Sequence, residues 1–207
     1  MLSTTPSDSF LALGTDMVDA RDSVDATLTA LAPIVEPGSV TIGVALAIPD
    51  PCGSFVKNAR ELYGDPQARA IPTHITLLPP AVVSPTMLSG IDAHLRAAAA
   101  QVNPFTVSIN GSATFRPVSP VVFLAVREGI SSCETLERLV RTGPLLRRRN
   151  FPYHPHITLV HEMDEATMDR AYADFADYRF TFTATEFTLY QQDEQRIWHP
   201  VQDYPLG

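Results

Sequence analysis

Two short stretches of the chain carry residue types that can transfer protons and hold a phosphate. The tetrapeptide HITL occupies residues 74–77 and again residues 156–159, 82 positions apart, in a chain that has only six histidines. A single His-x-Thr would carry little weight, but a second copy with both apolar residues matched is not expected by chance. The pair predicts one site to which both stretches contribute.

The alternation of polar and apolar residues in each copy is typical of a strand. Residues i and i+2 of a strand point to the same side, so His74 and Thr76 share one face while Ile75 and Leu77 face the interior. Residues 156–159 have the same arrangement. If the two strands border a common cleft, two imidazoles and two hydroxyls converge there.

That set of groups suits phosphodiester chemistry without a cofactor. One neutral imidazole can remove a proton from the attacking oxygen, and a second, protonated imidazole can donate one to the departing oxygen. Histidine serves both roles because its ordinary pKa lies near neutrality. We therefore expect His74 and His156 to be the acid–base pair, with hydroxyl hydrogen bonds from Thr76 and Thr158 to the phosphate oxygens. Two nearby imidazoles should titrate as a coupled pair.

The other histidines have weaker claims, and a lone histidine on a strand is most often structural. His154 shares a face with His156, which raises a metal-ligand reading, but zinc needs three or four convergent ligands and no acidic or cysteine partner is in place. We therefore expect no metal. His161 should fall on the opposite face and His94 on a helix, both structural or solvated, while His199 is a candidate for the cleft edge.

Composition limits the classes of function. The chain has 207 residues, 45% of them hydrophobic and 18% charged, with a net charge of −8. This is typical of a globular protein without a membrane span, and it argues against a protein that coats long nucleic acids. Two cysteines without metal-type spacing and an N-terminus without a basic region predict a reduced, cytoplasmic protein. We expect a monomer whose partner is a small nucleotide or a short RNA end.

One basic run stands out from this acidic composition. Arg147, Arg148 and Arg149 precede the second repeat, and Arg138 and Arg141 lie upstream. A solvated helix face is the ordinary interpretation of such a run. Its position also leaves open a role in steering an anionic substrate.

Residues 1–39 differ from the rest of the chain. Aspartates spaced between apolar residues predict an acidic amphipathic helix, which Pro33 and Pro37-Gly38 break, so these residues form an N-terminal extension, partly helical. Residues 40–207 form the functional domain.

The domain reads as two similar halves. A strand at 40–48, a helix to Tyr63, a repeat-bearing strand ending at Pro79-Pro80 and a helix at 86–101 form the first. The second half has the same order: a strand near 121–128, a helix at 131–149 interrupted by Gly143-Pro144, the second repeat and a helix at 164–176. A hairpin turning at Asn110-Gly111 is predicted between them, and strands near 178–190 and 195–199 complete the chain. This order indicates an internal duplication with one repeat in each half.

The paired motifs resemble those of the 2H phosphoesterase superfamily, in particular its 2′-5′ RNA ligase-like and cyclic phosphodiesterase branch. The lead-in Ile71-Pro72-Thr73-His74 and the similar Tyr153-His154-Pro155-His156 add to the likeness, which covers residues 40–207. The resemblance implies an α+β, bilobal fold with two pseudo-symmetric antiparallel sheets, outer helices and a central cleft that carries both motifs.

The resemblance also implies an activity. Family members open 2′,3′-cyclic phosphates of nucleotides or RNA ends, usually leaving a 2′-phosphate, and some join RNA ends through 2′-5′ bonds. By analogy His156 is the base and His74 the acid. Aromatic side chains should stack on bases in the cleft, and Phe115, Tyr153 and Trp198 are the candidates for substrate binding, with a place in the core as the alternative for each.

Two other functions fit the same residues. The cleft could bind a nucleotide without turning it over, and titration with a mononucleotide beside an activity assay separates that reading from catalysis. The chemistry could also act on a different substrate, such as a 2′-5′ oligonucleotide, a cyclic oligonucleotide or an ADP-ribose cyclic phosphate.

Overall fold

Two four-stranded antiparallel sheets carry the helices of this α+β protein on their faces. The computed structural model describes residues 38–148 and 151–207. The strands are β1 (Val40–Ala47), β2 (His74–Val83), β3 (Phe105–Thr114), β4 (Val121–Glu128), β5 (His156–His161), β6 (Arg179–Ala184), β7 (Glu186–Gln192) and β8 (Trp198–Pro205). The helices are α1 (Cys52–Leu62), α2 (Leu88–Ala99), α3 (Ile130–Val140) and α4 (Glu165–Asp174). None of these helices is long and apolar enough to cross a membrane.

Each sheet has a repeat-bearing strand at its edge. The strand orders are β2-β1-β7-β8 and β5-β4-β3-β6, and every pairing is antiparallel. The inward residues of both repeats are fully buried: Ile75, Leu77, Ile157 and Leu159. This burial anchors the two edge strands in the core, so the polar faces of the repeats are held rigidly.

The predicted repetition of a strand, a helix and a repeat-bearing strand is confirmed. β1-α1-β2 and β4-α3-β5 are equivalent units, and their registers match at the first residue of each motif. His74 lies opposite Ala47 on β1, and His156 lies opposite Ala125 on β4. The two halves therefore present their histidines from the same position of the same kind of strand pair.

A bulge follows the threonine of the first repeat. β1 pairs Ala45 with Thr76 and Val44 with Leu78, so Leu77 is the extra residue on β2. Leu77 and Leu78 are both buried, which a regular two-residue alternation would not allow. The second apolar residue after each HITL threonine is thus explained by the bulge.

The same irregularity occurs in the second repeat and changes the face of the residues that follow it. A register shift between Val122 and Phe123 leaves Leu159 as the extra residue of β5. Leu159 and Val160 are both buried. The residue that follows, His161, therefore returns to the face of the repeat's histidine, and the prediction that it points away was wrong because it assumed an unbroken alternation.

Two other predicted boundaries were wrong for related reasons. β2 continues through Pro79 and Pro80 to Val83, because it is an edge strand and the two prolines lie at a bulge opposite Gly43. β3 runs straight through Asn110-Gly111 instead of turning there. Gly111 adopts a φ of +75° within a bulge, and its N–H donates to the carbonyl of Tyr178. A positive φ marks a bulge here rather than a hairpin.

The later segments also differ from the predictions in their boundaries. The predicted strand at 178–190 is two strands, β6 and β7, one in each sheet. α3 ends at Val140, before Gly143 and Pro144, which lie in a 3₁₀ turn. Arg147 and Arg148 are therefore exposed outside the helix, while Arg149 and the predicted N-terminal helix within residues 1–37 lie outside the described residues.

Candidate active site

Both repeats border one cavity. The cavity has a volume of about 350 Å³, and its lining includes His74, Thr76, His156 and Thr158. Two edge strands from different sheets supply these four side chains. The arrangement brings together residues that are 82 positions apart in the sequence.

The two imidazoles are held by the same device. His74 Nδ1 lies 2.7 Å from the carbonyl oxygen of Pro72, and His156 Nδ1 lies 2.8 Å from that of His154. A carbonyl only accepts, so each Nδ1 carries a proton and donates it, which leaves Nε2 of each neutral ring as an acceptor. His74 Nε2 also lies 3.1 Å from the hydroxyl oxygen of Thr76. Each ring is thus prepared to exchange a proton through Nε2.

Burial favours the neutral form of both imidazoles. Burial lowers the pKa of His74 from 6.5 to about 4, with the positive charge of Arg60 and the neighbouring His156 adding to the effect and the Pro72 carbonyl opposing it. Burial also lowers the pKa of His156. The hydrogen bond to the His154 carbonyl raises that pKa, and the nearby His154 ring lowers it further. A bound anion would raise both pKa values, since it favours the charged form of a nearby imidazole.

The surroundings of the two histidines differ. The ring of His156 packs edge to face against Phe115 and Phe123, at centroid distances of 5.1 and 5.2 Å. Ala45 takes the place of Phe123 in the other half, opposite Thr76. His156 is therefore braced by aromatic rings, and His74 is not.

The three predicted aromatic residues have different positions. Trp198 lines the cavity. Phe115 packs against Phe123 and is not among the described residues that line the cavity. Tyr153 donates from its hydroxyl to the carbonyl oxygen of Thr76 at 3.0 Å, so it ties the segment before β5 to β2.

The remaining histidines are also located. His161 lines the cavity, as the bulge in β5 requires. His94 bonds to the carbonyl of Val140, and His199 is exposed and pairs with Asp193 at 2.7 Å. His154 is exposed, and among the residues that the structure describes no group of three or more His, Cys, Asp or Glu side chains could hold a metal ion.

Sequence reasoning missed two charged residues of the cavity. Arg60, near the end of α1, and Asp65, in the loop after it, both line the cavity and are only 4% and 6% exposed. They form an ion pair with 2.8 Å between Arg60 Nη2 and Asp65 Oδ2. No local pattern distinguishes Arg60 from other helix arginines, whereas His161 could have been found from the two consecutive apolar residues that precede it.

Comparison with known proteins agrees with this architecture. A family model described as the 2′-5′ RNA ligase superfamily matches residues 48–196. The protein named "Putative phosphoesterase" of Halalkalibacterium halodurans is 32% identical over 167 residues, which cover 80% of this chain and 96% of that relative. A relative of the same name from Bacillus cytotoxicus is 28% identical over 149 residues, covering 69% of this chain and 84% of its own.

Solved structures share the fold. E. coli LigT complexed with NADP+ superposes with a TM-score of 0.59 at 20% identity, covering 81% of this chain and 98% of LigT. The LigT complex with 3′-AMP gives a TM-score of 0.58 at 22% identity over the same shares. The predicted fold, two antiparallel sheets with helices in an α+β arrangement, is confirmed.

Proposed function

This chain belongs to the 2′-5′ RNA ligase superfamily, and from that premise we propose that it is a metal-independent phosphodiesterase that hydrolyses the 2′,3′-cyclic phosphate of nucleotides or short RNA ends. The observation that carries the proposal is the meeting of His74 and His156 in one cavity. Each is presented by an equivalent strand, with a threonine two residues further on. Thr76 and Thr158 supply hydroxyl donors beside them.

The proposed reaction needs only these side chains and water. One imidazole Nε2 takes a proton from the attacking water, whose oxygen forms a bond to phosphorus. The bond from phosphorus to the ribose 3′-oxygen breaks, and the second imidazole gives its proton to that oxygen, which leaves a nucleoside 2′-phosphate. Each proton transfer contributes about 10²–10⁴-fold. The threonine hydroxyls donate to the non-bridging oxygens while phosphorus is five-coordinate.

We assign the base to His74 and the acid to His156, which reverses the assignment by resemblance. The base must start neutral, and Arg60 disfavours a second positive charge at His74 while burial lowers the pKa of that imidazole to about 4. The pKa of His156 is lowered by burial and by the neighbouring His154. If His74 is the base because Arg60 opposes its protonation, His156 is left as the proton donor once an anionic substrate is bound.

The size of the cavity and the net charge of the chain favour a small substrate. A cavity of about 350 Å³ is at the lower end of the range for small-molecule sites. The net charge of −8 opposes binding of long nucleic acids. Crystal structures of E. coli LigT, which has this fold, hold 3′-AMP and ATP. Trp198 lines the cavity and is the candidate to stack on a nucleobase.

The direct test is a product screen over the four 2′,3′-cyclic mononucleotides with EDTA present. We expect turnover by the wild type, a loss of at least about 10²-fold in kcat for His74→Ala and for His156→Ala, and a 2′-phosphate product. His199→Ala is the matched control, since His199 is exposed and lies outside the cavity lining. Near-wild-type turnover by either active-site variant would reject the proposal.

The same screen separates the alternatives. Nucleotide binding without turnover would identify a binding module. Turnover restricted to 2′-5′ linked or cyclic oligonucleotides would keep the acid–base pair and change the substrate, and activity abolished by EDTA would point to a metal.

A further inference from the structure

A buried arginine stands at the wall of the cavity. Among the described residues, two of the Lys, Arg, Asp and Glu side chains line this cavity, Arg60 and Asp65. One oxygen of Asp65 accepts from Nε of Arg60 at 2.9 Å and forms the ion pair with Nη2 at 2.8 Å, and the other accepts from the N–H of Gln67 at 2.9 Å. Asp65 is thus fully engaged in holding the guanidinium in one orientation.

The ion pair uses only part of the guanidinium. Nη1 of Arg60 carries two N–H donors, and the structure gives them no acceptor among residues 38–148 and 151–207. Nη1 is not among the fully buried unpaired atoms of the described residues, so it keeps some accessible surface where Arg60 lines the cavity. An arginine that only linked α1 to the following loop would have no use for the two N–H donors of Nη1.

The cavity offers an acceptor when substrate is present. Arg60 borders the same space as His74, Thr76, His156 and Thr158. Phosphate oxygens are the acceptors that a guanidinium binds best, because its planar N–H groups match their geometry. The influence of Arg60 on the pKa of His74 also indicates that its charge is felt at the reacting centre.

We propose that Arg60 is a phosphate-binding residue: Nη1 donates to a non-bridging oxygen of the phosphate that lies between the two imidazoles, while Asp65 holds the guanidinium in place. The ligand class is a phosphate ester monoanion or dianion. The inference rests on the proposed function for its substrate, and it adds a fixed positive charge to the two threonine hydroxyls. Arg60 then stabilises the negative charge that grows on the phosphate during the reaction.

The first test needs no turnover. Inorganic phosphate is titrated into the full chain and followed by the fluorescence of Trp198, the chain's single tryptophan, which lines the cavity. Arg60→Lys keeps the positive charge and removes the fork of donors, so we expect phosphate binding to weaken by about tenfold or more. Arg96→Lys is the matched control, because Arg96 lies on α2 in an exposed pair with Asp92. Wild-type phosphate affinity in Arg60→Lys would overturn the inference.

The second test is independent of how much variant protein folds. Sulfur replaces either non-bridging oxygen of a 2′,3′-cyclic nucleotide, and the two diastereomers are turned over separately. We expect the wild type to prefer one diastereomer and Arg60→Lys to reduce that preference, since the lost donor faces one oxygen only. An unchanged ratio of the two rates would mean that Arg60 supports the fold alone.

The two tests also distinguish this inference from the proposed function. If the wild type opens no cyclic phosphate but Arg60→Lys still binds inorganic phosphate about tenfold more weakly, the proposed reaction fails and the phosphate-binding role holds. If the wild type is active and the variant keeps both phosphate affinity and diastereomer preference, the role of Arg60 fails and the reaction stands.

Discussion

Replacing His74 by glutamine tests how strongly the fold keeps this imidazole neutral. Burial, Arg60 and His156 lower its pKa from 6.5 to about 4. The unfolded chain therefore binds a proton at His74 that the folded chain excludes between these values, and the free energy of unfolding must fall as the pH falls through that range. The difference between the two pKa values corresponds to a loss of up to about 3 kcal/mol in the free energy of unfolding. This loss is absent above about pH 7 and is nearly complete at about pH 4.

The assay is urea unfolding of wild type and His74→Gln at about pH 7.5 and about pH 4.5. The wild type should lose about 2–3 kcal/mol more than the variant between the two conditions, since carboxylates and the other histidines titrate in both proteins and cancel. An equal loss in wild type and His74→Gln would mean that the fold does not exclude the proton, and the argument from burial would be wrong.

Further predictions concern roles and supports. His156→Gln should lose turnover by about 10²–10⁴-fold on a cyclic phosphate but by under about tenfold on a p-nitrophenyl phosphodiester, whose leaving group needs no acid. His74→Gln should lose turnover on both substrates. Product chromatography and p-nitrophenol release measure the two rates, and the opposite pattern would reverse the two roles. Thr76→Val and Thr158→Val should each lower kcat by about 10²-fold in steady-state assays, and unchanged kcat would remove the hydroxyls from the mechanism. Tyr153→Phe should lower the free energy of unfolding by about 1 kcal/mol in urea with KM unchanged; a change in KM instead would place Tyr153 in substrate binding.

Much of the fold followed from the doubled tetrapeptide and its context. The two-residue alternation placed Ile75 and Ile157 in the core and the histidines on the opposite face, because apolar side chains on an anchored strand leave few alternatives. The order of elements predicted two equivalent halves, and the matched registers at His74 and His156 confirm them. Local patterns were sufficient wherever burial alone decided the structure.

The prediction failed where the chain departs from regular pairing. The bulge at Leu159 depends on how β5 matches β4, so its consequence for His161 was signalled in the sequence only by the two consecutive apolar residues Leu159 and Val160. Gly111 carried a genuine positive-φ signal, but whether such a residue forms a turn or a bulge depends on where the next strand pairs. Arg60 was missed because its role comes from a tertiary contact with the cavity, which helical spacing does not encode.

The central claim is that two imidazoles from equivalent strands face a single phosphate. It is tested most directly by nitrogen-15 NMR of the histidine rings during titration with a nucleoside 2′-phosphate, the proposed product. We predict that the Nε2 signals of His74 and His156 shift together, with one common half-saturation concentration, and that the pKa values of both rings rise in the complex. A response from one ring only, or two rings that saturate at different concentrations, would contradict the account.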